Sequence, residues 1–216
     1  MILHEAEDFL RDYPGMSFAP MKGSLLSLRG TFIFKASYKD GPSIKDSYEL
    51  EIHIPEKFPY ELPKVKELGM KIPRDSMHHV NWDGTLCVGS PLRVVLKLYK
   101  SPTINTYAED CLVPYLYAVS HKLQHGGEFI FGELKHGEEG VLNDYLDLLG
   151  LTHPKQVVET LTLLGMKKNI ANKRACPCGC GKRLGSCRFN DKINQLRRVA
   201  PRSFYLNHVR SLGSGM

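Results

Sequence analysis

From His4 to Tyr13 the apolar residues Ala6, Phe9 and Leu10 recur at helical spacing, and Pro14-Gly15 closes the run, which predicts a short opening helix. The period then changes. Ser24 to Tyr38 (SLLSLRGTFIFKASY) and Asp46 to Ile54 (DSYELEIHI) alternate apolar and polar positions, the second with Tyr48, Leu50, Ile52 and Ile54 on one face. Both segments read as strands, joined through the turn residues Lys39-Asp40-Gly41-Pro42. Pro55 to Pro63 holds three prolines in nine residues and is expected to be an extended, rigid connection, after which Lys64 to Leu68 pairs as a further strand. Pro73 to Ser90 has no sustained period, and long irregular segments of this kind usually carry function. Beyond it, Tyr107 to Leu123 places Leu112, Tyr115, Leu116, Val119 and Leu123 three or four apart, and Val141 to Leu149 and Pro154 to Leu164 are similar. Strands first and helices afterwards indicate an α+β fold, an antiparallel meander with helices on one face.

Charge divides the chain. Twelve of its 29 Lys and Arg residues follow Gly165, but only one acid, Asp191, does. Residues 1–165 therefore carry 17 bases against 22 acids, net −5, and the last 51 residues carry +11. With 216 residues, 42% of them hydrophobic, the expectation is one main domain over 1–165 and a basic tail over 166–216, with Lys167 to Arg174 as linker. No apolar run approaches the roughly 18 residues that would span a bilayer, and the acidic, amphipathic start lacks the order of a secretory leader. A cytoplasmic protein without a membrane partner is expected.

The segment His78-His79-Val80-Asn81-Trp82-Asp83-Gly84-Thr85-Leu86-Cys87 collects a thiol, imidazoles, a carboxamide and a carboxylate in ten residues. A cysteine thiolate attacks carbonyls and holds the acyl group as a thioester, and a carboxamide such as that of Asn81 donates hydrogen bonds to the oxyanion formed on transfer. Alternatively, Cys87 is a small core residue, as lone cysteines commonly are.

These residues, in order, resemble the ubiquitin-conjugating enzyme family. Ile54-Pro55, Phe58-Pro59-Tyr60 and Pro63-Lys64-Val65 are similar to its proline-rich segment. His79-Val80-Asn81 resembles its His-Pro-Asn element with the proline replaced, Gly84-Thr85-Leu86-Cys87 its Gly-x-Ile-Cys ending, and Tyr99 to Thr103 its Trp-Ser-Pro segment. The resemblance covers roughly residues 1–150 and implies a ubiquitin-conjugating enzyme-like fold, a four-stranded meander flanked by helices. It implies Cys87 as the thioester cysteine, Asn81 as stabiliser of oxyanion or loop, and His79 as loop organiser. Tyr60 is expected to pack, and Cys111 to lie in the core. Asp83 either orients the incoming amine or is a turn residue. The short His-to-Cys interval and the basic apolar run Leu92 to Lys100 depart from the eukaryotic pattern. The segment from Gly132 to Gly140, together with the sheet-first pattern, resembles instead the divergent bacterial branch encoded in CBASS anti-phage defence. There the implied conjugation substrate is the C-terminus of a cGAS/DncV-like nucleotidyltransferase, with or without a separate activating enzyme as partner. His136 then either lines the channel for that tail or is solvated.

Cys176, Cys178, Cys180 and Cys187 crowd into twelve residues, a spacing that points to metal before disulfide in a cytosolic chain. Thiolates this close can surround a tetrahedral structural zinc ion. The order Cys-Pro-Cys-Gly-x-Gly-Lys, then Cys, is similar to the SEC-C zinc motif, so a small C-terminal zinc knuckle is expected, with Cys180 or His208 as fourth ligand. Basic residues around it suit nucleic-acid phosphates, and equally an acidic partner or solubility. A second functional reading follows, in which the front domain is an inactive scaffold and the basic tail binds nucleic acid.

Overall fold

The alternation of apolar residues in the two long central segments builds the sheet. The computed structural model describes residues 2–20, 26–131 and 137–213. In it α1 (Ile2–Asp12) precedes β1 (Met16–Phe18), β2 (Leu26–Ala36), β3 (Ile44–Ile54) and β4 (Lys64–Glu67). These form one antiparallel sheet in the order β1-β2-β3-β4, the expected meander. Between β2 and β3 the register pairs Leu28 with Ile52 and Phe32 with Tyr48, so the apolar set of each strand falls on one face. The intervening pairs, Arg29 with Glu51 and Lys35 with Lys45, fall on the other.

Helices cover the apolar face. After α2 (Pro91–Leu98), the chain runs through α3 (Ile104–Tyr107), a π-helical turn (Ala108–Leu112) and α4 (Val113–His125). Leu112, Leu116 and Val119 are buried with Phe32, Leu50 and Ile52 in one core, and α1 adds Ala6 and Phe9 to it. Phe9, Tyr13 and Phe32 stack there, the last two with ring centroids 4.4 Å apart. A polar chain fastens β3 to α4: Ser120 donates to Asp46 Oδ2 at 2.7 Å, which leaves the Tyr48 hydroxyl to donate to Ser120 Oγ at 2.7 Å. Burial raises the Asp46 pKa, but hydrogen bonds from Lys71, Ser120 and the Ser47 amide outweigh it and the net shift is downward.

Several expectations change. The proline-rich stretch is a run of turns, not an extended connection: Tyr60 N–H and Glu61 N–H both reach back to Lys57 C=O, and Phe58-Pro59 is cis. Tyr60 is 42% exposed, so it does not pack as expected. Leu92 to Lys100 folds largely into α2, with Leu92, Val94, Val95 and Leu98 buried and Pro91 at its first turn. Cys111 is buried, as expected.

The compact units are Met1–Glu133 and Leu134–Met216, so the position 165/166 suggested by charge lies inside the second unit. That unit contains α5 (Gly137–Leu149), α6 (Pro154–Gly165), α7 (Lys168–Ala171), α8 (Phe189–Val199) and α9 (Arg202–Gly213). Its packing explains the boundary: α6 lies against α5, α8 and α9, and Leu161, Leu164, Ile193 and Tyr205 are all buried. The expected linker is instead the short helix α7, whose Ala171 is buried. The tail is thus more than a knuckle. None of the described helices is long and apolar enough to cross a membrane.

Candidate functional site

Two clusters carry chemistry, one in each unit. In the first, Cys87 leaves a tight hairpin whose limbs meet through a Val80–Leu86 bridge, and whose second limb joins the sheet edge through a Lys66–Thr85 bridge. Backbone bonds set this path: Cys87 N–H donates to His79 C=O at 2.8 Å, Leu86 N–H to Val65 C=O at 2.8 Å and Asn81 N–H to Thr85 C=O at 2.8 Å. The turn needs Gly84, which sits at φ +78°, a conformation that side chains disfavour.

Thr85 is the centre of the polar contacts. Its N–H and hydroxyl donate to Asp83 Oδ1 at 3.0 and 2.6 Å, and its hydroxyl accepts from Asn81 Nδ2 at 3.0 Å. The side-chain bond from Thr85, then its amide, then Lys64 and Lys66 hold the Asp83 carboxyl below the usual range. Asp83 is therefore engaged as a turn residue. Asn81 is exposed, with one amide hydrogen committed to Thr85 and the other available.

His79 is buried and left-handed at φ 53°, a conformation that costs a non-glycine residue roughly 1–2 kcal/mol. Its ring packs edge-on to Phe129 with centroids 4.6 Å apart, and its carbonyl receives the Cys87 amide. The preceding 3-10 turn (Ser76–His78) is capped by Asp75 and pinned from α4: Tyr115 hydroxyl donates to His78 C=O at 2.7 Å and Lys122 Nζ to Met77 C=O at 2.9 Å. Nothing in the local sequence signals Tyr115, Lys122 or Phe129, because they lie 37 or more residues from the carbonyls or ring they meet.

Cys87 itself is exposed. Protein nonetheless surrounds its sulfur closely enough that desolvation raises the thiol pKa, opposed in part by the Gly89 N–H. At neutral pH it is a protonated, reachable thiol. In the turn of the same hairpin Trp82 stands 98% exposed. His136 falls outside the described residues.

In the second unit the sulfurs of Cys176, Cys178, Cys180 and Cys187 all lie within 4.8 Å of one another. Neighbouring pairs are 3.2, 3.6 and 3.6 Å apart, close to the roughly 3.8 Å edge of a tetrahedron with zinc–sulfur bonds of about 2.3 Å. Each sulfur also accepts a backbone N–H from two residues on: Cys178 to Cys176, Cys180 to Cys178, Lys182 to Cys180 and Phe189 to Cys187. Such bonds stabilise thiolate over thiol, and a metal ion needs thiolates. At Cys180 the Lys182 amide, foremost, brings the pKa down to about 7, whereas desolvation raises Cys176 and Cys178. Gly179 and Gly181, at φ +80° and +74°, permit the reversals that stack these turns. The four cysteines thus suit a metal ion such as zinc. His208 is elsewhere, its Nδ1 2.9 Å from Phe204 C=O and its ring against Phe204 and Tyr145, so Cys180 is the fourth member.

Comparison with family models, with curated proteins and with solved structures finds no match to this chain.

Proposed function

We propose that the chain is a ubiquitin-conjugating-like acyltransferase, in which Cys87 carries a protein C-terminus as a thioester and passes it to an amine. The observation that carries this reading is the exposed Cys87 at the end of a hydrogen-bonded hairpin whose turn also holds Asn81, its carboxamide bonded to Thr85. The order of opening helix, four-stranded meander, irregular loop, cysteine and covering helices supports it, as does the resemblance of the segments that form them. In the first step the Cys87 thiol gives its proton to solvent, the thiolate attacks the carbonyl of an activated C-terminus, and the bond to the leaving group breaks, the leaving group taking the electron pair. In the second an amine attacks the thioester carbonyl, Cys87 thiolate is expelled, and the amine's proton passes to solvent.

Asn81 acts on both steps by donating its second amide hydrogen to the developing oxyanion. His79 positions the cysteine through its carbonyl, and Asp83 holds the turn. The C-terminus of a cGAS/DncV-like nucleotidyltransferase, with or without an activating enzyme, is the substrate proposed, and antiviral signalling the process regulated. A structural zinc ion would be held by Cys176, Cys178, Cys180 and Cys187 and would supply folding energy to the second unit. Discharge of preformed Cys87 thioester to free lysine tests the reading. Asn81→Ala is expected to slow it about 10²-fold, and discharge at the wild-type rate would remove Asn81 from the mechanism.

A further inference from the structure

Between Glu159 and Asp191 the chain holds no acidic residue, and in that interval Lys167, Lys168, Lys173, Arg174, Lys182, Arg183 and Arg188 are all exposed. None of the seven makes an ion pair with a described residue. Five of them flank the cysteine cluster along the chain. Arg183 sits in a bridge with Ala175, Lys182 C=O accepts from Cys176 N–H, and Arg174 C=O accepts from Leu184 N–H, so residues 174–176 and 182–184 pair as the two limbs of one hairpin that carries Arg174, Lys182 and Arg183, with Lys173 at its entry. Arg188 follows Cys187 directly. Like charges on one short segment repel one another, and among the described residues no carboxylate pairs with them.

We propose that this basic hairpin binds nucleic-acid duplexes through their phosphates. A protein partner would need apolar anchors at the centre of the patch, and Ile170 is the one large apolar residue exposed in the interval. Single strands would need aromatic platforms, yet Phe189, Phe204 and Tyr205 are buried or partly buried. Phosphates need neither. A duplex carries about one charge per 1.7 Å of axis, so cations gathered on one short hairpin meet several phosphates at once without reading sequence. This binding is independent of Cys87.

Fluorescence anisotropy of a labelled 20-base-pair DNA duplex with the full chain tests the proposal. Affinity is expected to fall roughly 500-fold between 50 and 200 mM salt, with a log–log slope of about −4.5 for five contacts. Lys182→Gln with Arg183→Gln, and separately Lys173→Gln with Arg174→Gln, should each weaken binding at least tenfold and flatten the slope by about 2, with metal content unchanged. Lys35→Gln with Lys45→Gln, which removes the same charge from the first unit, should leave affinity intact, as should Cys87→Ala. A wild-type slope near zero, equal loss in the Lys35/Lys45 variant, or equally tight binding of poly-glutamate would each overturn the proposal. The last would indicate an acidic protein as the partner.

Discussion

Desolvation makes the Cys87 thiol a weaker acid while leaving it in reach of solvent, so its reactivity is governed by pH more than by access. The thiolate fraction is small at pH 7 and grows about tenfold per unit until the raised pKa is passed. Iodoacetamide labelling of Cys87, followed by peptide mass spectrometry, is therefore expected to accelerate steadily beyond pH 9. A plateau below pH 8 would contradict the shift. Buried Cys111, pushed up to about 11 by desolvation, should label far more slowly at every pH. Thr85 is the residue through which the turn acts on Asn81. Thr85→Val removes the hydroxyl at similar volume, and leaves Asp83 and Asn81 each one bond short. It should destabilise the first unit by about 1–3 kcal/mol, read as a lowered urea midpoint, and slow thioester discharge along with Asn81→Ala.

At the scale of elements, β3 and α4 are tied by the Tyr48–Ser120–Asp46 chain. Asp46 has a depressed folded pKa, so its contribution is present above the unfolded carboxylate value and is lost as pH falls through the folded one. Ser120→Ala should lower stability by about 1–3 kcal/mol at pH 7 and move acid unfolding to higher pH, since Asp46 then titrates nearer its ordinary value. Chemical denaturation from pH 3 to 7 checks both. The strands that carry this chain were legible because β2 and β3 bury alternate residues, and a period of two survives in the sequence. β1 was not: three residues, of which Met16 alone is buried, leave no period to read. α2 is marked by Pro91 and by the spacing of Leu92, Val95 and Leu98, yet eight residues give only about two turns of period, too few to separate a helix from a basic apolar run. In the site, Cys87, Asn81 and the four clustered cysteines were visible as residue types at short spacing. The supports from Tyr115, Lys122 and Phe129 were not, since contacts between distant segments leave no local pattern.

Over the whole molecule, charge and packing divide the chain at different places. The run of bases begins after Gly165, but α5 and α6 pack with α8 and α9, so the second unit begins at Leu134. Composition reports where solvent-facing charges lie, whereas a unit's boundary follows its apolar contacts. The metal is expected to hold the hairpin of this unit: stripping it with a strong chelator should lower helical circular dichroism through loss of α8 and α9 order, with the sheet's signal retained and zinc restoring the rest. An unchanged spectrum would mean that the helices hold the knuckle unaided. The central claim, that Cys87 carries an acyl group, is tested most directly by intact mass spectrometry of the full chain incubated with a peptide C-terminal thioester. A single adduct of the acyl mass, removed by added thiol and absent in Cys87→Ser, is predicted; an adduct that persists in Cys87→Ser, or none while Cys87 remains alkylatable, would contradict the account.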